Sequence, residues 1–242
     1  MIFLFAAHSV ANKVGYEDLA TVVEDRISWA AERSSDKLMG AVGTWTRTTS
    51  MLANGAYDIA QQLLDRSRDD LESSRDHSPE VLRMLGPLHL RSSVLAARAG
   101  DAERARDHLA EARTLETHLD EGDHDGGYYQ MCFGPSNVGI HEVAASVELG
   151  AGAAAVHHAE SLRISPQIPR IRTAQHFVDL ARAHLWEGNN ATALQALHKA
   201  RRLAPQQTLH HPTTREVTRM LVRLQRRSNE DLTKLAQWIG EM

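Results

Sequence analysis

At five places in the 242-residue chain, a glycine followed five residues later by an alanine lies between two stretches of helical periodicity. The copies begin at Gly15, Gly55, Gly100, Gly150 and Gly188. A glycine that ends one helix, and a small residue where the next helix crosses it, are typical of a close-packed antiparallel helix pair. One such spacing can arise by chance in an alanine-rich chain, but five copies indicate a repeat. The chain is therefore predicted to be all-α and built from helical hairpins.

The last copy of the repeat is the most complete. Gly188 is followed by Ala193, Leu197 and Ala200 at the spacing of one helix face, and Pro205 ends the segment. This pattern resembles the tetratricopeptide repeat, although the spacing of the glycines exceeds the usual ~34 residues. The resemblance implies one tetratricopeptide-like superhelical domain over residues 1–242, a helical-hairpin solenoid of about twelve antiparallel helices.

Start and stop signals place the individual helices. Asp36 is a candidate cap, Ser78-Pro79 is a strong helix start, and Gly86-Pro87 is expected to kink or break the helix that contains it. The segment 120–127 is predicted to be irregular. The predicted helices span 2–14, 16–31, 36–54, 57–74, 79–99, 101–119, 136–149, 151–162, 172–187, 190–204, 212–227 and 229–239.

Composition favours close-packed helices in a cytoplasmic protein. Hydrophobic residues make up 42% of the chain and aromatic residues only 5%, and the net charge of −4 combines an acidic front half with a basic back half. No stretch reaches the ~20 apolar residues of a membrane span, so no membrane contact is expected. Cys132 is the one cysteine, which excludes an internal disulfide and suits a reducing compartment.

Candidate ligand-binding residues follow from aligning the hairpins on their turn glycines. In a tetratricopeptide-like array the first helix of each pair lines the concave face, so equivalent positions are expected to face one groove. The amide side chains of Asn137 and Gln175 can clamp a peptide backbone, because an amide both donates and accepts. Trp45 can cover an apolar group, and Arg182 can bind a carboxylate. The alternatives are that Asn137 caps the helix begun at Ser136, and that Trp45 belongs to the core. The predicted groove residues are Trp45, Thr49, Leu90, Asn137, Gln175, Val178 and Arg182, with Val42, Val94 and Ile140 on the same face.

A row of arginines near the C-terminus is a second candidate surface. Its members lie at helical spacing: Arg215, Arg219, Arg223 and Arg226. Such a row can contact a nucleic-acid backbone or a partner protein. No aromatic residues are interleaved for stacking on bases, so a solvated outer face is the favoured interpretation, with dimerisation through this end as an alternative.

Metal binding and catalysis have little support in the sequence. The candidate metal groups are His157-His158, His210-His211, His176 with His184, and His118 with Asp123, His124 and Asp125. None has the i, i+4 spacing of a zinc-binding helix or the order of a calcium loop. No glycine-rich phosphate loop, no G-x-S-x-G and no oriented Cys/His pair is present, and Cys132 is predicted to be buried between apolar neighbours. The sequence therefore predicts no cofactor, no metal and no enzymatic activity.

Two further segments resemble a regulator family. They are residues 133–141, Phe133-Gly134-Pro135-Ser136-Asn137-Val138-Gly139-Ile140-His141, and residues 211–217, which begin His211-Pro212. With the repeat, they resemble the C-terminal tetratricopeptide-like region of actinobacterial helix-turn-helix transcriptional regulators. In that family the repeats form a sensory or dimerising module behind an N-terminal DNA-binding domain. No helix-turn-helix segment precedes residue 15 here, so direct DNA binding is not expected without a further domain.

The resulting hypothesis is a ligand- or protein-binding regulatory module. It senses a peptide or small molecule in its concave groove and is linked to transcriptional regulation. A dimerising scaffold that binds a protein partner and no small ligand is the alternative. A helical enzyme is the least favoured reading.

Overall fold

The computed structural model describes residues 2–73, 78–120, 125, 127–129, 131–224 and 229–241. This part of the chain is helical throughout, apart from turns and one short pairing of strands, so the prediction of an all-α protein is confirmed. Strands β1 (Gly127–Tyr128) and β2 (Met131–Cys132) pair antiparallel. The helices are α1 Ile2–Lys13, α2 Glu17–Ser34, α3 Lys37–Ala53, α4 Tyr57–Glu72, α5 Pro79–Arg98, α6 Ala102–Glu116, α7 Pro135–Glu148, α8 Gly152–Ser161, α9 Arg170–Trp186, α10 Asn190–Leu203, α11 Pro205–His210, α12 Pro212–Leu224 and α13 Glu230–Ile239.

Consecutive helices pack as hairpins, and the first helix of one hairpin also contacts the first helix of the next. The hairpins are α1/α2, α3/α4, α5/α6, α7/α8 and α9/α10, and α3, α5, α7, α9 and α12 follow one another in contact. Helix α1 also contacts α11, so the first helix lies against the C-terminal part of the chain. The described helices outnumber the prediction by one because Pro205 begins the short α11 as well as ending α10.

The turn between hairpin helices has the geometry that glycine favours. Gly188 has φ +75°, and its N–H donates to the Leu185 carbonyl at 3.1 Å, while Asn189 N–H donates to the His184 carbonyl at 2.8 Å. These two bonds satisfy carbonyls left free at the end of α9. Ala193, five residues after the glycine, is fully buried, as the repeat predicts.

Helix α5 is the most buried helix of the array and is not broken at Gly86-Pro87. Of the expected kink or break, the break is therefore wrong, and Gly86 has another role. A Cβ atom at Gly86 would lie 2.2 Å from two ring carbons of Phe133, which is itself 1% exposed. The Phe133 ring therefore packs directly against the backbone of α5.

The start of α7 is fixed by an acidic residue that lies ten positions before it in the sequence. The buried Asp125 carboxylate accepts hydrogen bonds from the backbone N–H groups of Ser136 (3.2 Å) and Asn137 (3.1 Å). Its own N–H donates to the Phe133 carbonyl at 2.9 Å. Asp125 thus caps α7, and the alternative in which Asn137 caps this helix is wrong. The Asn137 side chain bonds other groups: its Nδ2 donates to the Cys132 carbonyl at 2.8 Å, and its Oδ1 accepts from Arg172.

Among the described helices, none has both the length and the apolar character needed to cross a membrane.

Candidate functional site

Polar side chains from the first helices of successive hairpins converge in the interior. We call Lys13, Arg91, His141, Arg172 and Asp179 the interior cluster; they come from α1, α5, α7 and α9. Each is half-buried, so its side chain is enclosed by protein but retains some contact with solvent. Half-buried ionisable groups from separate elements are typical of binding sites.

Arg172, in the first turn of α9, reaches across to α7. Its Nε donates to Asn137 Oδ1 at 3.1 Å, and one Nη lies 3.0 Å from Nδ1 and 3.2 Å from Nε2 of His141. His141 Nδ1 is also 2.8 Å from the Asn137 carbonyl oxygen. A carbonyl only accepts, so Nδ1 carries the proton and Nε2 is the acceptor that faces Arg172. Burial, and then the charge of Arg172, hold the pKa of His141 well below its usual range, so the ring is neutral.

Arg91, on α5, packs against an aromatic ring instead of a carboxylate. Its guanidinium carbon lies 4.1 Å from the Trp45 ring centroid, and one Nη lies 3.4 Å from the Thr49 hydroxyl oxygen. The Trp45 ring also lies beside Phe5, whose ring centroid is 6.0 Å from that of Trp45. A guanidinium over an indole face is a favourable cation–π pair.

Lys13 and Asp179 complete the cluster. In the part of the chain that the structure describes, the Lys13 ammonium has no hydrogen-bond or ion-pair partner. Asp179 Oδ1 accepts from Gln175 Nε2 at 3.0 Å, and Gln175 Oε1 accepts from Gln207 Nε2 at 3.3 Å. The chain Gln207–Gln175–Asp179 therefore holds the one carboxylate of the cluster.

The charges of the cluster act on one another. Burial, followed by the charges of Arg172 and Arg91, lowers the pKa of Lys13 to about 8, and Asp179 opposes the change. Burial, followed by Arg172, lowers the pKa of Arg91 to about 9, which leaves the guanidinium charged at neutral pH. Burial raises the pKa of Asp179 to about 6, against the charge of Arg172.

Charge from the cluster also acts on His211, which lies at the junction of α11 and α12. Burial, and then the charges of Lys13 and Arg98, lower the pKa of His211 to about 4. Glu24 favours the charged form of Arg91, but its oxygens are already bound by His8 (2.8 Å) and Ser50 (2.7 Å). The cluster therefore holds three cations and one carboxylate of raised pKa, which is an excess of positive charge.

The predicted groove residues divide into two groups. Trp45 and Thr49 contact Arg91, Asn137 contacts Arg172, and Gln175 contacts Asp179, so four of them line the interior cluster. The other three lie elsewhere: Leu90 (1% exposed) and Val178 (2%) are in the hydrophobic core, and Arg182 lies over Trp186 and 3.9 Å from Glu216. The assignment of Leu90 and Val178 to the groove is therefore wrong, because both residues lie in the core.

The error is one of helix phase. Leu90, Val178 and Ile140 lie ten residues before the turn glycines of their hairpins, whereas Arg91, Asp179 and His141 lie nine before them. One residue rotates the side chain by about 100° around an α-helix, which separates a core position from an interior polar position. The position nine residues before each turn glycine could have been identified from the sequence, because it is polar in all three hairpins.

The arginine row on α12 is engaged at one end. Arg219 Nε and Nη2 donate to the two Glu241 carboxylate oxygens at 2.5 and 2.8 Å, and Arg215 lies 3.6 Å from the same carboxylate. Arg223 is exposed, and Arg226 lies outside the described residues. The row thus helps to hold the last residues of α13 against α12.

The candidate metal groups do not assemble among the described residues, where no three His, Cys, Asp or Glu side chains are placed to hold an ion. Asp125 caps α7, His118 Nδ1 donates to the Thr114 carbonyl at 2.8 Å, and Asp123 and His124 lie outside the described residues. Cys132 is half-buried, and burial raises the pKa of its thiol.

Comparison with known proteins adds no assignment. No protein-family model matches the chain, and no curated protein matches it. The function is therefore inferred from the interior cluster and its surroundings.

Proposed function

We propose that this chain is a tetratricopeptide-like solenoid that binds a peptide or small molecule in its interior, as the sensing part of a cytoplasmic system that regulates transcription. In this proposal the chain binds its ligand and catalyses no reaction. Its hairpins supply a scaffold on which the first helices present side chains to one enclosed space.

One observation carries the proposal. Trp45, Arg91, Asn137, Arg172 and Gln175 come from four successive first helices and are far apart in the sequence. Trp45 contacts Arg91, Asn137 contacts Arg172 and Gln175 contacts Asp179. The charge of Arg172 acts on both Arg91 and Asp179, so the three pairs belong to one region. Buried polar groups in a purely structural core are satisfied by each other. Here an indole face, amide groups and incompletely bonded guanidinium groups line the same region, which is the composition of a ligand site.

The proposal is tested with two variants of the site. A library of short peptides and metabolites is screened by thermal shift, and hits are measured by calorimetry. The double variant Trp45→Ala, Asn137→Ala is expected to weaken binding of a hit at least tenfold, because it removes an aromatic anchor and an amide (about 1.4 kcal/mol or more).

The matched control is Trp29→Ala, which removes an indole that is 54% exposed on α2. It is expected to leave the affinity unchanged. Equal affinity in the wild type and the double variant would remove the interior as the binding site.

A protein-binding scaffold is supported by a different feature. Leu19, Val22 and Trp29 lie on one face of α2 and are each more than half exposed, as is Val10 on α1. Rows of exposed apolar side chains are typical of protein interfaces. Light scattering over a range of concentrations separates the two functions, since self-association that is lost in Val22→Glu favours the scaffold.

A further inference from the structure

The interior arginines and lysine lack the counter-charges that the buried Arg68 and the exposed Arg98 have. Arg68 bonds Asp65 and Ser92, and Arg98 donates to Glu148 at 2.9 Å. Arg91 and Arg172, by contrast, have only neutral partners, and Lys13 has none in the described part of the chain. The three cations of the interior cluster are therefore without a carboxylate partner in the described part of the chain.

Each of these cations has donors to spare. A guanidinium has five N–H groups in a planar fork. Arg91 uses one of them in a long bond to Thr49, and Arg172 uses Nε and one Nη. None of the remaining nitrogens of Arg91, Arg172 or Lys13 is among the buried polar atoms that lack a partner, so solvent reaches them.

The surroundings add positive potential instead of removing it. Arg172 lies in the first turn of α9, where the helix dipole is positive and a cation is unfavourable. No acidic residue occupies that turn. Asp179 is the carboxylate whose charge opposes the lowered pKa of Lys13, and Gln175 already donates to one of its oxygens. Like charges gathered in an enclosed site are costly without an anion to balance them.

We propose that the interior ligand carries a phosphate or carboxylate group, which is held between Lys13, Arg91 and Arg172. This inference rests on the proposed function and names the chemical class of its ligand. Arg91 and Arg172 donate through their free Nη groups from α5 and α9, and Lys13 donates from the end of α1. Trp45 and Thr49 fix Arg91, and Asn137 and His141 fix Arg172, so both forks are positioned before the anion arrives.

The probe is inorganic phosphate, compared with acetate and with sodium chloride at equal ionic strength and pH 7. Tryptophan fluorescence is the readout, because Trp45 lies against Arg91, and Trp45→Phe identifies its share of the signal. Phosphate or acetate is expected to change the wild-type signal saturably, where chloride does not. Stronger binding of phosphate indicates a phosphorylated ligand, and stronger binding of acetate indicates a carboxylate.

Variants separate this site from general salt effects. Arg172→Gln is expected to weaken anion binding about tenfold, as the loss of one charge-assisted contact does. Arg170→Gln is the matched control, since it makes the same change in the same turn of α9 on an exposed side chain, and it should bind like the wild type.

Lys13→Met keeps the test decisive if Arg172→Gln does not fold. Removal of a lysine that has no partner and lies beside two other cations is expected to leave the melting temperature unchanged or to raise it. Anion binding is expected to weaken about tenfold. A purely structural lysine would instead lower the melting temperature and leave binding unchanged.

The inference is overturned if phosphate and acetate act no differently from chloride, or if Arg172→Gln and Lys13→Met bind them as the wild type does. A neutral peptide whose affinity falls in the Trp45→Ala, Asn137→Ala variant but not in Arg172→Gln would overturn it while leaving the proposed function intact. A phosphate site that no screened ligand competes for would support the anion site and count against the broader function.

Discussion

Gly86→Ala is expected to destabilise the protein by about 3 kcal/mol, although glycine to alanine inside a helix normally stabilises it. The reason is the Phe133 ring, which has three carbons within 2.3 Å of where the new Cβ would lie. The ring is fully buried among Leu82, Leu90 and Val138, so it cannot move aside without disturbing that cluster. Urea denaturation followed by circular dichroism measures the change.

Gly40→Ala is the matched control for this prediction. Gly40 also lies inside a helix, α3, and a Cβ there would meet no atom within 4 Å. This substitution should stabilise the protein by about 0.5 kcal/mol. In the Phe133→Leu background the cost of Gly86→Ala should shrink, because the smaller side chain gives way. The same sign of effect at Gly86 and Gly40 would contradict the close packing of Phe133 on α5.

Acid is expected to destabilise the protein strongly between pH 7 and pH 5. Burial, followed by the charge of Arg172, lowers the pKa of His176 to about 4; burial, followed by Arg68 and His108, lowers that of His89 to about 3. Both side chains are buried. Their unfolded forms take up protons near pH 6.5 while the folded forms resist, so stability is present above that pH and lost as the pH falls. Each is worth up to about 2 kcal/mol at pH 5.

Asp179 acts in the opposite direction. Its pKa is raised to about 6, so this carboxyl group stabilises the folded state at low pH. That contribution to stability is lost as the pH rises through 6. The contribution of this one half-buried carboxyl to the free energy of unfolding is smaller than that of the two buried histidines. The net stability should therefore still fall by a few kcal/mol between pH 7 and pH 5.

His176→Leu measures the contribution of one of the two histidines. The Nδ1 atom of His176 is buried without a hydrogen-bond partner among the described residues, so leucine should cost little at pH 7 and should reduce the loss at pH 5. His158→Leu, at an exposed histidine, should leave the pH dependence unchanged. Chemical denaturation at the two pH values measures both variants, and an equal slope in wild type and His176→Leu would contradict the assignment.

The hairpins could be predicted from the sequence because their signals are local. The turn at Gly188 and the crossing at Ala193 are separated by five residues, and the geometry of the turn requires a residue at positive φ. Such a signal does not depend on what the rest of the chain does. The helix bounds follow from the same local features, including the Asp36 side chain, which accepts from Leu38 N–H at 2.9 Å.

The interior site could be predicted only in part, because it depends on helix phase and on contacts between distant residues. Trp45 and Asn137 were found from their positions, but Arg91 and Arg172 acquire their meaning only when α3 and α7 lie beside them. Asp125 likewise gives no signal as a cap, since it acts on α7 from ten residues upstream of the helix start. The sequence predicts a kink or break at Gly86-Pro87 and not a contact of Gly86, because Phe133 is remote in sequence.

The most direct measurement is a crystal structure of this chain grown with phosphate, beside one grown with chloride at equal ionic strength. An anion in the interior, with oxygens about 2.7–3.2 Å from the guanidinium groups of Arg91 and Arg172 and from Lys13 Nζ, is the result expected. An interior that binds no phosphate, with these three cations bonded to carboxylates of the chain itself, would contradict the account.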